Sequence, residues 1–303
     1  AGMMDIPDDY RCGLLAVIGR PNGGKSTFIN AVMGRKVSIV TAKPQTTRHR
    51  ILAVLTEAAQ QIIFVDTPGL HRKSGKAMNR MMNRTAANAL ADADLILFVS
   101  DASQWTDEDD DVLLRLRSCS APIIALINKI DKIHPKEKLL DALALMSTRL
   151  DFAEIVPVSA MKKDNLDLIL QIIPKFLPVS PPLFPEDMKT DRSDEFHISE
   201  VIREKLTLML HQEMPYGLTV QIERLVREDS GLAINAIIWV ERDSQKGIAV
   251  GKNGGVLKKV GRAARLEISE QFGQPVHLEL WVKVKSNWAD NEQDLMNLGY
   301  EAP

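Results

Sequence analysis

Eight residues, Gly19-Arg20-Pro21-Asn22-Gly23-Gly24-Lys25-Ser26, constrain this chain more than any other feature. They fit GxxxxGK[ST], follow the apolar run 14–18 and open a helical pattern over 26–33, the order of strand, loop and helix that a phosphate-binding loop requires. Glycines there let backbone N–H groups close around a phosphate chain, and the helix N-terminus adds positive potential. Lys25 is placed to neutralise β and γ oxygens, Ser26 to hold Mg²⁺, and Thr27 to join the nucleotide contacts. A glycine-rich turn that merely precedes Lys-Ser is the alternative, which the flanking strand and helix disfavour. The loop alone does not separate GTP from ATP, or a kinase from a hydrolase.

Later motifs make that separation. Asn128-Lys129-Ile130-Asp131 follows the apolar run 123–127, which places it at the carboxyl end of a strand, where ligands sit in such sheets. An Asp there offers two acceptor oxygens to the N1–H and 2-amino donors of guanine, whereas adenine would leave the carboxylate unpaired. Asn128 and Lys129 brace the loop and cover the base. Ser159-Ala160-Met161-Lys162 follows the predicted strand 154–158 and is placed to offer a backbone N–H to the guanine oxygen. Asp66-Thr67-Pro68-Gly69 follows the strand 62–65, which suits a carboxylate acting on Mg²⁺ and a glycine N–H sensing the γ-phosphate. Leu70 comes next, where many switch GTPases carry a glutamine that orients the attacking water, so hydrolysis is expected to be slow and to rest on positioning and charge neutralisation.

The fold class read from the chain is α/β, a mixed, mostly parallel sheet wrapped by helices, followed by a small α+β domain. Predicted strands cover 13–18, 51–56, 61–65, 95–100, 123–127 and 154–158. The expected organisation is a tail over 1–10 with Ala1-Gly2 as a tag remnant, a nucleotide domain over 11–177, and a linker over 178–195 rich in proline. A domain over 196–285 and an acidic tail over 286–303 complete it. In the second domain the predicted order is helix 198–212, strand 218–227, strand 233–242, helix 255–271 and strand 275–283. The apolar runs are too short to cross a bilayer and no signal peptide is read at the start, so a cytoplasmic protein is expected. Cys12 and Cys119 lack metal-like spacing and are expected to be buried, reduced thiols.

A net charge of −2 argues against wholesale nucleic-acid coating, yet between residues 242 and 265 seven basic residues face a single acid, Asp243. Within that stretch Gly251-Lys252-Asn253-Gly254 precedes a helix carrying Lys258, Lys259, Arg262 and Arg265. A GxxG loop lets backbone approach nucleotides closely while cations meet phosphates; the bland alternative is a glycine turn beside a solvated helix face.

Pro44-Gln45-Thr46-Thr47-Arg48-His49-Arg50, together with the motifs above and Trp281-Val282-Lys283-Val284-Lys285, resembles the Era family over nearly the whole chain. The resemblance implies a P-loop GTPase domain joined to a type II KH domain, hydrolysing GTP to GDP and phosphate in assembly of the small (30S) ribosomal subunit. It further implies binding of the 3′ end of 16S rRNA by Gly251, Lys252, Asn253, Gly254, Lys258, Lys259 and Arg262. Thr47 becomes the switch ligand of Mg²⁺ beside Ser26 and Asp66, with Thr46 the weaker choice, and Lys25, Thr47 and Gly69 the catalytic set. Asn22 matches an asparagine associated with a potassium ion in related GTPases. A monomer, with a peripheral association at the inner membrane, completes what the resemblance implies. Gly23 departs from the family pattern, which has valine there, so weaker nucleotide affinity is expected.

Three competitors are weighed. A P-loop kinase or ATPase is opposed by Asp131, and an RNA-binding module with a vestigial nucleotide domain by intact Lys25, Ser26 and Asp66. The best-known family of ribosome-assembly GTPases with a KH-like tail has two GTPase domains where this chain has one. Met78, Met81 and Met82 read as a packed helix face, His49 and His71 as solvated loop residues, and the acidic run 107–111 as a helix start.

Overall fold

The computed structural model describes residues 6–21, 23–34, 37, 51–67, 77–190, 193–210, 218–286 and 295, with the side chains of 51 and 77–83 excepted. Strands β1 (Arg11–Ile18), β2 (Ile51–Thr56), β3 (Gln60–Asp66), β4 (Leu95–Asp101), β5 (Ile123–Asn128) and β6 (Glu154–Pro157) form one sheet in the order β2-β3-β1-β4-β5-β6. The β2-β3 pair is antiparallel and all others are parallel. Helices α1 (Lys25–Met33), α2 (Ala77–Asp92), α3 (Asp107–Leu116), α4 (Glu137–Ser147) and α5 (Leu166–Ile172) intervene.

Unbroken apolar runs form these strands because both faces of the sheet are covered. Every residue of β4 and β5 is buried. Alternation assigns the faces: Leu15, Val17, Leu97 and Leu126 join the core with Phe28 of α1 and Ile169 of α5. Ala16, Ile18, Phe98 and Ile127 join the other with Leu90, Val112, Leu116 and Met146. The acidic start of α3 is a helix N-terminus, as expected: the Asp109 carboxylate reaches back to accept the Thr106 N–H at 2.8 Å.

The proline-rich stretch is strapped to this sheet. The Cys12 N–H donates to Pro178 O at 3.1 Å, the Ser180 N–H to Tyr10 O at 2.9 Å, and the Val54 N–H to Lys189 O at 2.9 Å. Gln61, fully buried, holds the middle of the strap: its Oε1 accepts the N–H groups of Leu183 at 2.9 Å and Phe184 at 3.1 Å. Its Nε2 donates to Phe184 O at 2.9 Å and to Thr56 Oγ1 at 2.9 Å. Prolines leave enough donors between them for this, which composition does not reveal. Tyr10, read as tail, is likewise buried and donates its hydroxyl to Glu57 O. Cys12 is buried as expected, but Cys119 is only half-buried, because its helix end lies at the rim of the core.

The second unit runs α6 (Asp194–Leu210), β7 (Thr219–Glu228), β8 (Gly231–Val240), α7 (Asp243–Val250), α8 (Gly255–Phe272) and β9 (Val276–Val284). β7 pairs antiparallel with β8, and β8 parallel with β9, so the chain between β8 and β9 must cross over. α7 and α8 make that crossover. α7 is absent from the sequence-predicted order, since eight residues interrupted by Gly247 show too little periodicity. Its start is fixed by Gln245, whose Oε1 accepts the N–H groups of Glu241 at 2.8 Å and Arg242 at 3.1 Å. The core joins Ile198, Ile202 and Leu206 of α6 to Ile234, Ala236 and Ile238 of β8 and Val260, Ala264 and Ile268 of α8.

Candidate nucleotide and RNA sites

The carboxyl ends of β1, β3, β4 and β5 lie side by side, as the pairs Val17–Asp66 and Asp101–Asn128 show. The phosphate-loop residues leave β1 there. Gly24 caps α1 at φ 102°, a left-handed conformation, with the N-terminal N–H groups of the helix behind it. The Lys25 side chain is buried: burial lowers its pKa, Asp66 opposes that, and Arg20 adds to it. Ser26 Oγ lies 3.4 Å from Asp66 Oδ2, so a hydroxyl and a fully buried carboxylate from two separate motifs converge. Gly23 is not left-handed, and a Cβ on it would stand 3.2 Å from Arg20 O and 3.5 Å from Val99 O.

The second loop is braced from three sides. Asn128 Oδ1 accepts the Ala160 N–H at 3.0 Å, and Asp131 Oδ1 accepts the Ser159 hydroxyl at 2.7 Å. Lys129 adopts φ 64°, and its ammonium reaches Asp101 Oδ2 at 3.0 Å. Gly19, Gly24, Lys25, Ser26, Asp66, Asn128, Lys129, Asp131, Ser159 and Ala160 thus gather along one edge of the sheet. Thr27 lies half-buried in the first turn of α1. Asn22, Thr47, Gly69, Leu70, His49 and His71 fall outside the described residues, as do the side chains of Met78, Met81 and Met82.

In the second unit the residues between α7 and α8 form a tight turn: Gly251 has φ 76°, Asn253 φ 54° and Gly254 φ 71°. A Cβ on Gly251 would come 2.4 Å from Val256 Cγ2, so α8 packs directly on that glycine. Lys252, Asn253, Lys258, Lys259 and Arg262 are exposed. Lys258, Arg262 and Arg265 recur at helical spacing and share one face of α8.

The family described as 50S ribosome-binding GTPase matches residues 14–129, and the family described as KH domain matches residues 213–289. A variant of Era from Aquifex aeolicus, solved bound to GDP and AlF4−, is 38% identical with a TM-score of 0.92, covering 96% of this chain and 100% of that one. The chain belongs to the Era family. Era solved in complex with MgGDPNP and nucleotides 1506–1542 of 16S ribosomal RNA is equally similar, at 38% identity and TM-score 0.92, covering 97% of this chain and 100% of that one. An Era-family chain is a GTP hydrolase with a KH domain appended, and the fold bears this out: a P-loop GTPase sheet followed by the α-β-β-α-α-β order of a type II KH unit.

Two polar groups to which the motifs give no role emerge from the geometry. Arg20 and Asp101 are both largely buried between the two nucleotide-facing loops, their charges 3.5 Å apart. The sequence carries a faint signal of Asp101, an acid closing an otherwise apolar strand, yet nothing in it says which cation it meets.

Proposed function

We propose that the protein binds GTP on the edge formed by residues 19–27, 66 and 128–131, hydrolyses it slowly, and grips the 3′ end of 16S rRNA through the turn 251–254 during 30S subunit assembly. The observation that carries this is the convergence of Lys25, Ser26 and Asp66 with Asp131 and Ser159 at the carboxyl ends of adjoining strands, in a chain that also holds a complete KH unit. Lys25 and the backbone of the phosphate loop hold the phosphates, and Asp131 reads guanine with Asn128, Lys129, Ser159 and Ala160 shaping its loop.

Mg²⁺ fits the donors present: Ser26 Oγ and Asp66 Oδ2 are hard oxygens converging at 3.4 Å, with Asp66 fully buried. Bound there, the ion would offset charge on the β and γ oxygens. Of the remaining members of the proposed catalytic set, Gly69 comes from the Asp66-Thr67-Pro68-Gly69 motif and Thr47 from the resemblance. Potassium beside Asn22 rests on the resemblance, and equal turnover in KCl and NaCl would remove it.

In the KH unit Lys258, Lys259 and Arg262 supply positive charge along the exposed side of α8, and Lys252 supplies it in the turn before. Gly251, Asn253 and Gly254 supply the bare backbone that a single strand can approach. Among the described residues no helix is long and apolar enough to cross a membrane. A cytoplasmic monomer that meets the inner membrane only peripherally is the reading we adopt. The deciding experiment is GTP turnover with and without single-stranded RNA matching the 16S 3′ end. Turnover and RNA binding should both be measurable and should depend on Lys25 and Lys252 respectively. Equal displacement of labelled GTP by ATP would overturn the guanine assignment, and no RNA retention would overturn the clamp.

A further inference from the structure

We infer that Asp101 is a positioning residue for guanine nucleotide, a single carboxylate that ties the phosphate loop to the base loop through Arg20 and Lys129. The inference rests on the guanine-nucleotide reading above and adds to it a residue that lies in neither motif.

Asp101 closes β4, one strand over from Asn128, its register partner in β5. Its two oxygens have separate tasks. Oδ1 accepts the Ser103 N–H at 2.8 Å and the Ser103 hydroxyl at 2.6 Å, which fixes the carboxylate plane. Oδ2 faces two cations, Lys129 Nζ at 3.0 Å and an Arg20 terminal nitrogen at 3.5 Å. Arg20 is in turn held by Asp109, with Nε 3.1 Å from Asp109 Oδ2, and Asp109 is anchored to the start of α3. Two positive and two negative side chains thus form a neutral cluster at the root of the site. A buried charge persists only when it is paired in this way.

The consequence falls on Lys129. Its left-handed backbone turns the side chain across the mouth of the phosphate loop, where a Cβ on Gly24 would lie 3.9 Å from Lys129 Cε. With the ammonium drawn down to Asp101, the methylene stem is held flat, an apolar strip available to the face of a base. Without the carboxylate the ammonium would seek water, and a long side chain would regain its rotamer freedom. Asp101 should therefore strengthen binding of the whole nucleotide without touching it. Because the contact is the same for GTP and GDP, its loss should raise KM and leave kcat nearly unchanged.

The test is a double-mutant cycle on GDP affinity with Asp101→Asn and Lys129→Met, each variant checked by thermal melting. Asp101→Asn is expected to raise the Kd for GDP about tenfold, the scale of losing one charged hydrogen bond. The preference for GDP over ADP, which belongs to Asp131, should persist. In the Lys129→Met background the same change should add less than about twofold, since the group it acts through is gone. Unchanged Kd in Asp101→Asn, or an undiminished effect beside Lys129→Met, overturns the inference. Should Asp101→Asn not fold, Asp101→Glu takes its place in the cycle: one extra methylene displaces the anchor, and the same coupling is expected. Wild-type protein that binds no GDP would instead remove the guanine reading itself.

Discussion

Gly24 and Asn128 interlock: a Cβ placed on Gly24 would stand only 2.2 Å from the Asn128 side-chain nitrogen. The phosphate loop and the base loop are therefore packed against each other, with the Asn128 side-chain amide seated on the bare backbone of Gly24. Gly24 is also left-handed, at φ 102°.

Gly24→Ala meets both obstacles at once, strain at positive φ and collision with Asn128. It should raise the Kd for GDP at least about a hundredfold, the scale of about 3 kcal/mol of displacement. Gly23→Ala is the control, because Gly23 is not at positive φ and its Cβ would come no nearer than 3.2 Å to Arg20 O and 3.5 Å to Val99 O. Titration with a fluorescent GDP analogue checks both, and equal losses in the two variants would contradict the interlock.

Lys25 should trade stability for binding. Burial lowers its pKa in the folded protein, so the unfolded chain holds the proton more tightly. The cost to the nucleotide-free fold is full below the folded pKa and declines as pH rises from it toward the ordinary lysine value of 10.5, so stability gains with pH across that window. Lys25→Met removes the buried charge. Without nucleotide its Tm should equal or exceed that of the wild type, and its stability should lose this rise with pH, while GDP binding disappears. Melting curves between neutral and alkaline pH check this.

What could be read in advance divides along physical lines. The strands of the nucleotide sheet were legible to within a residue or two at each end, because a strand covered on both faces must be apolar throughout. The phosphate and guanine motifs were legible because their chemistry is local: Gly19 to Lys25 and Asn128 to Asp131 lie within a few residues of one another. α7 was not, since Gly247 and eight residues give no periodicity to detect. Arg20, Asp101 and Gln61 were not either. Each acts through a partner from 28 to 123 positions distant, and only the fold decides which distant group a lone polar residue meets. Gln61 in particular reads as an ordinary polar residue at a strand start.

That residue carries a prediction of its own. Gln61→Leu keeps the volume but leaves the N–H groups of Leu183 and Phe184 and the carbonyl of Phe184 without the partners they have in the fold. Each lost hydrogen bond costs about 0.5–1.5 kcal/mol, so a drop of several degrees in Tm is expected for the nucleotide domain. The amides of Leu183 and Phe184 should lose hydrogen-exchange protection before those of β4 do. Unaltered exchange at 183 and 184 would mean the strap is held by its backbone contacts alone.

The KH turn separates geometric from electrostatic recognition. Lys252 is exposed at the tip of the turn and free of the packing below it, so Lys252→Ala should fold normally and remove one phosphate contact. On single-stranded RNA that lowers the slope of log K against log salt by about 0.7, and weakens binding to all sequences alike. Gly251→Ala acts differently. Its Cβ would strike Val256 at 2.4 Å and resist the φ of 76°, so the turn must open away from α8. Because the cations of α8 stay in place, the salt slope should be unchanged while affinity falls at every salt concentration, the signature of a lost backbone approach. Fluorescence anisotropy with a 16S 3′-end oligonucleotide across a salt series distinguishes the two. A reduced slope in Gly251→Ala, or an unchanged one in Lys252→Ala, would show that phosphates are met elsewhere on the KH unit.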